Sequence, residues 1–226
     1  MTVTDVNVVK SAIFERPDDA NKGTLGSLLC VCGSYGMAGA AVMSAKGALR
    51  TGIGLAKCAL PRSIYPIVAQ TILESVYYPL SENADGRISK VNVPFLVSES
   101  CKSSATLVGC GLGVCDDTLK IVFSFIENST TPLVLDADAL NCVAKQPEIL
   151  LRKKAPIIIT PHPGEMSRLT GLATPLVNAE RERVALDFAQ KYGVVTVLKG
   201  AGTVIASPNG KVLVNPTGNS GMARRW

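Results

Sequence analysis

Short apolar runs and helix-spaced apolar residues alternate along most of this chain. Ser27–Cys32 is a continuous apolar run bounded by glycines, which predicts a buried strand. After the polar stretch 33–36, apolar side chains recur at Met37, Ala38, Ala41, Val42, Ala45, Ala48 and Leu49, the spacing of a helix. Gly54–Leu60 predicts the next strand, broken by Pro61, and Thr71–Tyr78 a further strand or edge segment ending at Pro79. Thr106–Gly109, Pro132–Leu135 and Ala155–Ile159 predict short buried strands. Asp116–Glu127, Asp138–Leu151 (interrupted near Pro147) and Asn178–Tyr192 predict helices, the last with Val184, Phe188 and Tyr192 facing the core. Gly193–Leu198 is a β-branched run. Thr203–Ala206 and Lys211–Asn215 flank Ser207-Pro208-Asn209-Gly210, the signature of a hairpin turn.

This alternation predicts an α/β protein: a mostly parallel sheet covered by helices on both faces, with an antiparallel hairpin added late. Right-handed crossovers put the strand carboxyl ends on one rim, where open α/β sheets bind their ligands. With 226 residues, 47% of them hydrophobic and 18% charged, the chain reads as a single domain over 1–226 with an extensive core.

Five polar loops follow the predicted strands and converge on that rim. Gly33-Ser34-Tyr35-Gly36-Met37-Ala38-Gly39 precedes a helix and has the form of an anion cradle. Its spacing fits neither the dinucleotide fingerprint nor a Walker A loop, and a plain tight turn is the other reading. Gly109-Cys110-Gly111-Leu112-Gly113 exposes backbone amides. In Asp136-Ala137-Asp138-Ala139-Leu140-Asn141, the strand-end Asp136 suits magnesium or a hydroxylated ligand, whereas Asp138 reads equally as a helix cap. Thr160-Pro161-His162-Pro163-Gly164-Glu165 holds the single histidine of the chain, fixed between two prolines. Lys199-Gly200-Ala201-Gly202-Thr203 delivers a lysine, a compact charge suited to phosphate, into a glycine-rich turn.

The net charge of +5 is mild, and no Lys/Arg cluster is interleaved with aromatics, which argues against nucleic acid as a partner. The seven cysteines have no CxxC pair, and one histidine is too few for the common mixed zinc sites, so no metal centre is expected. Buried reduced thiols, no signal-like start over Met1–Lys10 and no apolar run long enough for a membrane span point to a soluble, cytoplasmic protein.

Taken in order, Asn21-Lys22-Gly23-Thr24, Gly33-Ser34…Met37…Gly39-Ala40-Ala41, Val134 to Asn141, the histidine tract, Lys199-Gly200 with Thr203, and Asn215-Pro216-Thr217-Gly218-Asn219 resemble the NAD(P)H-hydrate dehydratase family of the ribokinase-like superfamily. The resemblance runs from about residue 21 to residue 223 and implies a three-layer α/β/α sandwich. It also implies a metabolite-repair reaction: hydrated NADH or NADPH is dehydrated back to NADH or NADPH at the expense of ADP or ATP, with Mg2+. By the same resemblance, Ala40, Gly111, Gly113 and His162 contact the hydrated cofactor, with Asp136 and Asn141 in support. Lys199, Gly200, Ala201, Gly202 and Thr203 line the nucleotide, and a homo-oligomer is expected.

The resemblance departs at the end of the chain. Family members follow this point with Thr-Gly-Gly-Ser-Gly-Asp and a further helix, whereas Asn219-Ser220-Gly221-Met222-Ala223 here leads to Arg224-Arg225-Trp226. The expectation is a chain without the family's aspartate base or glycine anion hole, with no assignable catalytic residue, impaired activity and an apolar sheet face left bare. An incomplete or frameshifted copy is expected ahead of a specialised short form. A kinase of the same fold acting on a vitamin precursor or sugar, and a nucleotide-binding pseudoenzyme, are the alternative readings.

Overall fold

The computed structural model describes residues 2–4, 9–10 and 17–219. Its strands are β1 (Thr2–Val3), β2 (Ser27–Val31), β3 (Leu55–Pro61), β4 (Val76–Leu80), β5 (Ala105–Val108), β6 (Leu133–Leu135), β7 (Ile157–Ile159), β8 (Val195–Leu198), β9 (Thr203–Ala206) and β10 (Val212–Asn215). They form one sheet in the order β1-β10-β9-β8-β7-β6-β5-β2-β3-β4. Pairing is parallel from β8 across to β4. β9 lies antiparallel between β8 and β10, and β1 adds parallel to β10. Apart from β1, on which no expectation was placed, this is the predicted sheet with its late hairpin.

The helices are α1 (Ala38–Thr51), α2 (Tyr65–Thr71), α3 (Val93–Cys101), α4 (Asp116–Asn128), α5 (Asp138–Val143), α6 (Pro163–Thr170), α7 (Thr174–Ala179) and α8 (Arg181–Tyr192). They divide unevenly between the two faces. Small residues Ala41 and Ala45 let α1 lie close on Cys30, Cys32 and Cys58, with Ile64, Val68 and Ile72 closing that core. The larger core, from Leu29 and Val31 through Phe125 and Ile126 to Phe188 and Val204, lies on the other face. Register places Val134, Ile158, Val195, Val197 and Ile205 on the α1 face, beyond the span that α1 and α2 cover. Those side chains are only partly buried.

Three expected elements differ. Thr71–Tyr78 is not one strand: Thr71 ends α2, and β4 starts at Val76. The interruption near Pro147 ends the helix itself, since α5 stops at Val143 and Pro147–Arg152 is a 3-10 turn. Asn178–Tyr192 is two helices, because Glu180 leaves helical geometry (φ −124, ψ 40) between α7 and α8. The Asn21-Lys22-Gly23-Thr24 motif is a turn, with the Gly23 amide donating to Asn21 Oδ1 at 2.9 Å. It packs under Gly54 at the strands' amino ends, away from the rim. The expectations placed on Ser220–Trp226, and most of those on Met1–Lys10, concern residues outside the described ones. No helix among the described residues is long and apolar enough to cross a membrane.

Candidate active site

The ends of β2, β5, β6, β7 and β8 are tied together by their own loops. Gly33 N donates to the Cys110 carbonyl at 2.8 Å, and Ser34 Oγ to the Gly111 carbonyl at 2.8 Å. These bonds join the first glycine loop to the second. Gly109 sits at φ +123, and a Cβ there would collide with the Asp136 carbonyl oxygen and lie 2.7 Å from Ala139 Cβ. Only glycine lets the β5 loop lie against the β6 loop. Gly111 is buried against Ala40, so these two residues come together as expected.

Asp136 is the hub. Its Oδ1 accepts from Lys199 Nζ at 2.5 Å and from Thr160 Oγ1 at 2.7 Å. Its Oδ2 faces the Cys110 thiol at 3.5 Å. Burial by itself would raise this carboxyl group, but the Lys199 charge and the hydrogen bonds from Lys199, Thr160 and Cys110 outweigh it. Asp136 is therefore held ionised, below the usual carboxylate range. The Lys199 backbone amide donates to the Pro161 carbonyl at 2.8 Å, which binds the β8 end to the histidine tract.

His162 is the N-cap of α6. Its Nδ1 accepts from the amides of Gly164 (3.0 Å) and Glu165 (3.2 Å). Glu165 answers by accepting from the His162 amide at 2.8 Å, a reciprocal capping box built on histidine where serine or threonine is usual. Glu165 is 5% exposed, and its Oε2 lies 3.9 Å from Lys199 Nζ. The histidine ring itself is exposed at the rim.

Asp138 does not cap α5. Ala137 takes that position with a positive φ (49), and no side chain caps it. Asp138 reaches across the rim, where Oδ2 accepts from the Gly113 amide at 2.8 Å and Oδ1 from Asn141 Nδ2 at 3.3 Å. Asn141 Oδ1 in turn accepts from Arg168 Nε at 2.9 Å. Gly113 therefore reaches the rim with its amide already bonded. Gly200, Ala201, Gly202 and Thr203 lie past Lys199, away from this cluster, and Thr203 pairs with Asn215 across the hairpin. Gly202 opens onto a separate groove of about 600 Å³ between β9, β10 and the α7–α8 junction.

Glu165, Thr160 and Cys110 each close a contact on the Lys199–Asp136 pair, Arg168 holds Asn141, and Arg181 donates to the Leu198 carbonyl. Sequence reading gave none of them a role. Glu165 carries a signal, standing three residues after His162 with Pro163 between them, the spacing of a capping box. The two arginines carry none that a short motif could show. Among the described residues no three His, Cys, Asp or Glu side chains converge as a metal site.

A family model described as NAD(P)H-hydrate dehydratase matches residues 28–225. The ADP-dependent (S)-NAD(P)H-hydrate dehydratase of Bacillus subtilis is 31% identical over 96% of this chain and 73% of its own length. The bifunctional NAD(P)H-hydrate repair enzyme of Thermofilum pendens is 39% identical over 92% of this chain, which spans 40% of that enzyme's length. Among solved structures, the ADP/ATP-dependent NAD(P)H-hydrate dehydratase from Bacillus subtilis co-crystallized with ATP/Mg2+ superposes with a TM-score of 0.82 at 30% identity. That match covers 99% of this chain and 75% of the other.

Proposed function

We propose a function from one premise: the chain belongs to the NAD(P)H-hydrate dehydratase family. The function is nucleotide-dependent dehydration of hydrated NADH or NADPH, with ADP or ATP as co-substrate. The observation that carries it is the rim itself, where an ionised Asp136, Lys199 and a capped His162 are joined by the Asp136–Lys199 pair, the Lys199 amide bond to the Pro161 carbonyl and the 3.9 Å Glu165–Lys199 ion pair.

The chemistry accounts for that unit. Hydroxide is a poor leaving group, so a phosphoryl group placed on the ring hydroxyl turns it into phosphate, which the ring nitrogen can expel. Phosphoryl transfer asks the protein for positioning and charge rather than covalent chemistry. In this proposal Lys199 supplies positive charge for the phosphates, and Asp136 fixes its ammonium in place. His162 and the Ala40–Gly111 contact hold the hydrated nicotinamide, and Asn141 is set by Asp138 and Arg168. Magnesium binds through one or two carboxylates plus substrate phosphates. Asp136 Oδ2 fits that role, because among the described residues it faces only a thiol. The ion would supply charge neutralisation at the phosphates.

The cytoplasmic setting rests on seven cysteines that are all free thiols. A homo-oligomer is supported by exposed apolar side chains around the β4 edge, Leu73 (84%), Val91 (69%) and Ile67 (56%) among them. The test of activity is to incubate the chain, extended through the family's Thr-Gly-Gly-Ser-Gly-Asp tract, with hydrated NADH and with ADP or ATP, then follow the near-ultraviolet absorbance of the reduced ring. Recovery that requires nucleotide and releases phosphate is expected. Phosphorylation of a sugar or thiazole alcohol with no action on the hydrate would overturn the assignment.

A further inference from the structure

Arg181 opens α8 beneath the Lys199–Thr203 loop, and its surroundings are unusual for a guanidinium. Nε is buried with no hydrogen-bond partner. Nη2 donates to the Leu198 carbonyl at 2.8 Å, the last residue of β8 before Lys199. Among the described residues no carboxylate comes within ion-pair distance of it: Glu180 is taken by Arg183, and Glu182 stands exposed. A cation in the first turn of a helix also faces the positive end of the helix dipole. Burial without a partner disfavours the charged form further. The Leu198 carbonyl answers one N–H of the guanidinium, but among the described residues no carboxylate answers its charge.

The loop is built onto this side chain. Gly200 lies at φ +148, and a Cβ there would fall 2.8 Å from Arg181 Nη1 and 2.9 Å from Nη2. Only a glycine lets the backbone rest on the guanidinium. Arg181 also lines the groove of about 600 Å³ that Gly202 borders. The contrast with Lys199 is direct, because that ammonium is already answered by Asp136 at 2.5 Å and Glu165 at 3.9 Å. Of the two cations beside the loop, Arg181 is the one whose counter-charge is missing.

We propose that Arg181 is a positioning residue for the nucleotide: it sets the Lys199–Thr203 loop from beneath and supplies the unanswered positive charge that a bound phosphate completes. This rests on the nucleotide-dependent reading given above. The ligand chemistry it selects is the phosphate chain and not the nucleoside, so affinity should depend on Arg181 in proportion to ligand charge.

The test compares ADP with adenosine by calorimetric titration on the full chain, for the unmodified protein, Arg181→Lys and Arg181→Gln, with melting temperatures recorded without ligand. Arg181→Gln should weaken ADP by about 10- to 100-fold, the range of one charge-assisted contact, and leave adenosine unchanged. It should also melt close to the parent, since a partly buried charge with no carboxylate partner is removed along with one hydrogen bond to a carbonyl. Arg181→Lys should recover part of the ADP affinity. Equal losses for ADP and adenosine, with lysine no better than glutamine, would show a structural role only and overturn the proposal. If the glutamine variant does not fold, the parent protein decides. Phenylglyoxal labelling of Arg181, read by peptide mass, should be blocked by ADP and not by adenosine, and equal labelling overturns the proposal. A parent protein that binds no nucleotide removes the functional reading and this inference with it. A parent that binds ADP, beside a glutamine variant that binds it equally well, removes the inference alone.

Discussion

Lys199 and Arg181 lie on either side of Gly200, and the protein treats their charges in opposite ways. On the β5–β8 side, Lys199 meets an ionised Asp136, Asp138 meets the Gly113 amide and Asn141, and Glu165 meets the His162 amide. On the groove side, Arg181 has a carbonyl and no carboxylate. The first region is internally satisfied: its dipoles and charges are fixed by one another. The second leaves a guanidinium with no carboxylate partner among the described residues. Stability and binding should therefore respond to mutation in different places.

The sharpest way to break that comparison is Gly109→Ala. The new methyl must enter the Asp136 carbonyl at a φ that L-residues rarely adopt, so a loss of about 2–5 kcal/mol is expected, combining left-handed strain with overpacking. Urea unfolding measures it. A loss under about 1 kcal/mol would mean that the two loops are not rigidly joined.

Next is Asp136→Asn, which keeps the shape and removes the charge that Lys199 needs. About 1.5–3 kcal/mol should be lost near neutral pH, the range for a hydrogen bond to a charged group. The pH dependence follows from the depressed carboxyl value. Stabilisation by Asp136 is complete above the ordinary aspartate value of 3.8 and is lost as pH falls through the lower folded value. The asparagine variant should lack that acid limb in melting curves taken across the range. An unchanged acid limb would place the ionisation elsewhere.

His162 separates the two kinds of effect within a single residue. His162→Ala should cost about 1 kcal/mol through the lost cap, while His162→Asn, a good capping side chain, should melt close to the parent. Both should lose affinity for the hydrated cofactor. An asparagine variant with full affinity would reduce this histidine to a cap. The smallest effect belongs to the groove: Arg183, 58% exposed in its pairing with Asp187, should change stability by no more than about 0.5 kcal/mol when replaced by alanine.

Periodicity read the sheet well because its parallel strands appear as short apolar runs bounded by polar turns. It missed α2 and α3 for a common reason. Each opens with a proline in its first turn, Pro66 and Pro94, and a proline in an apolar stretch reads as a strand breaker until the helix behind it is known. The rim residues Asp136, His162 and Lys199 were legible because a polar residue at the end of an apolar run stands out. Their partners were not. Thr160 and Cys110 act through pairings that strand order alone brings about, like the 63-residue separation that Lys199 spans to reach Asp136, and of Glu165 only the local capping box could be read, not its approach to Lys199. The partner of Asp138 was hidden for the same reason, since the Gly113 amide it binds lies 25 residues away.

The capping box of α6 has a consequence for the imidazole itself. Nδ1 of His162 accepts two backbone N–H groups, and a ring nitrogen engaged in this way carries no hydrogen. The neutral ring is therefore the Nε2–H tautomer, chosen by the helix and not by any ligand. That hydrogen lies on the side where Glu165 Oε1 stands 3.5 Å away, and the imidazole side chain is 51% exposed. If the hydrated cofactor binds as proposed, it would meet His162 as a donor and present an acceptor, such as a carboxamide or phosphoryl oxygen. Proton abstraction at Nδ1 is not open to this histidine while α6 keeps its first turn.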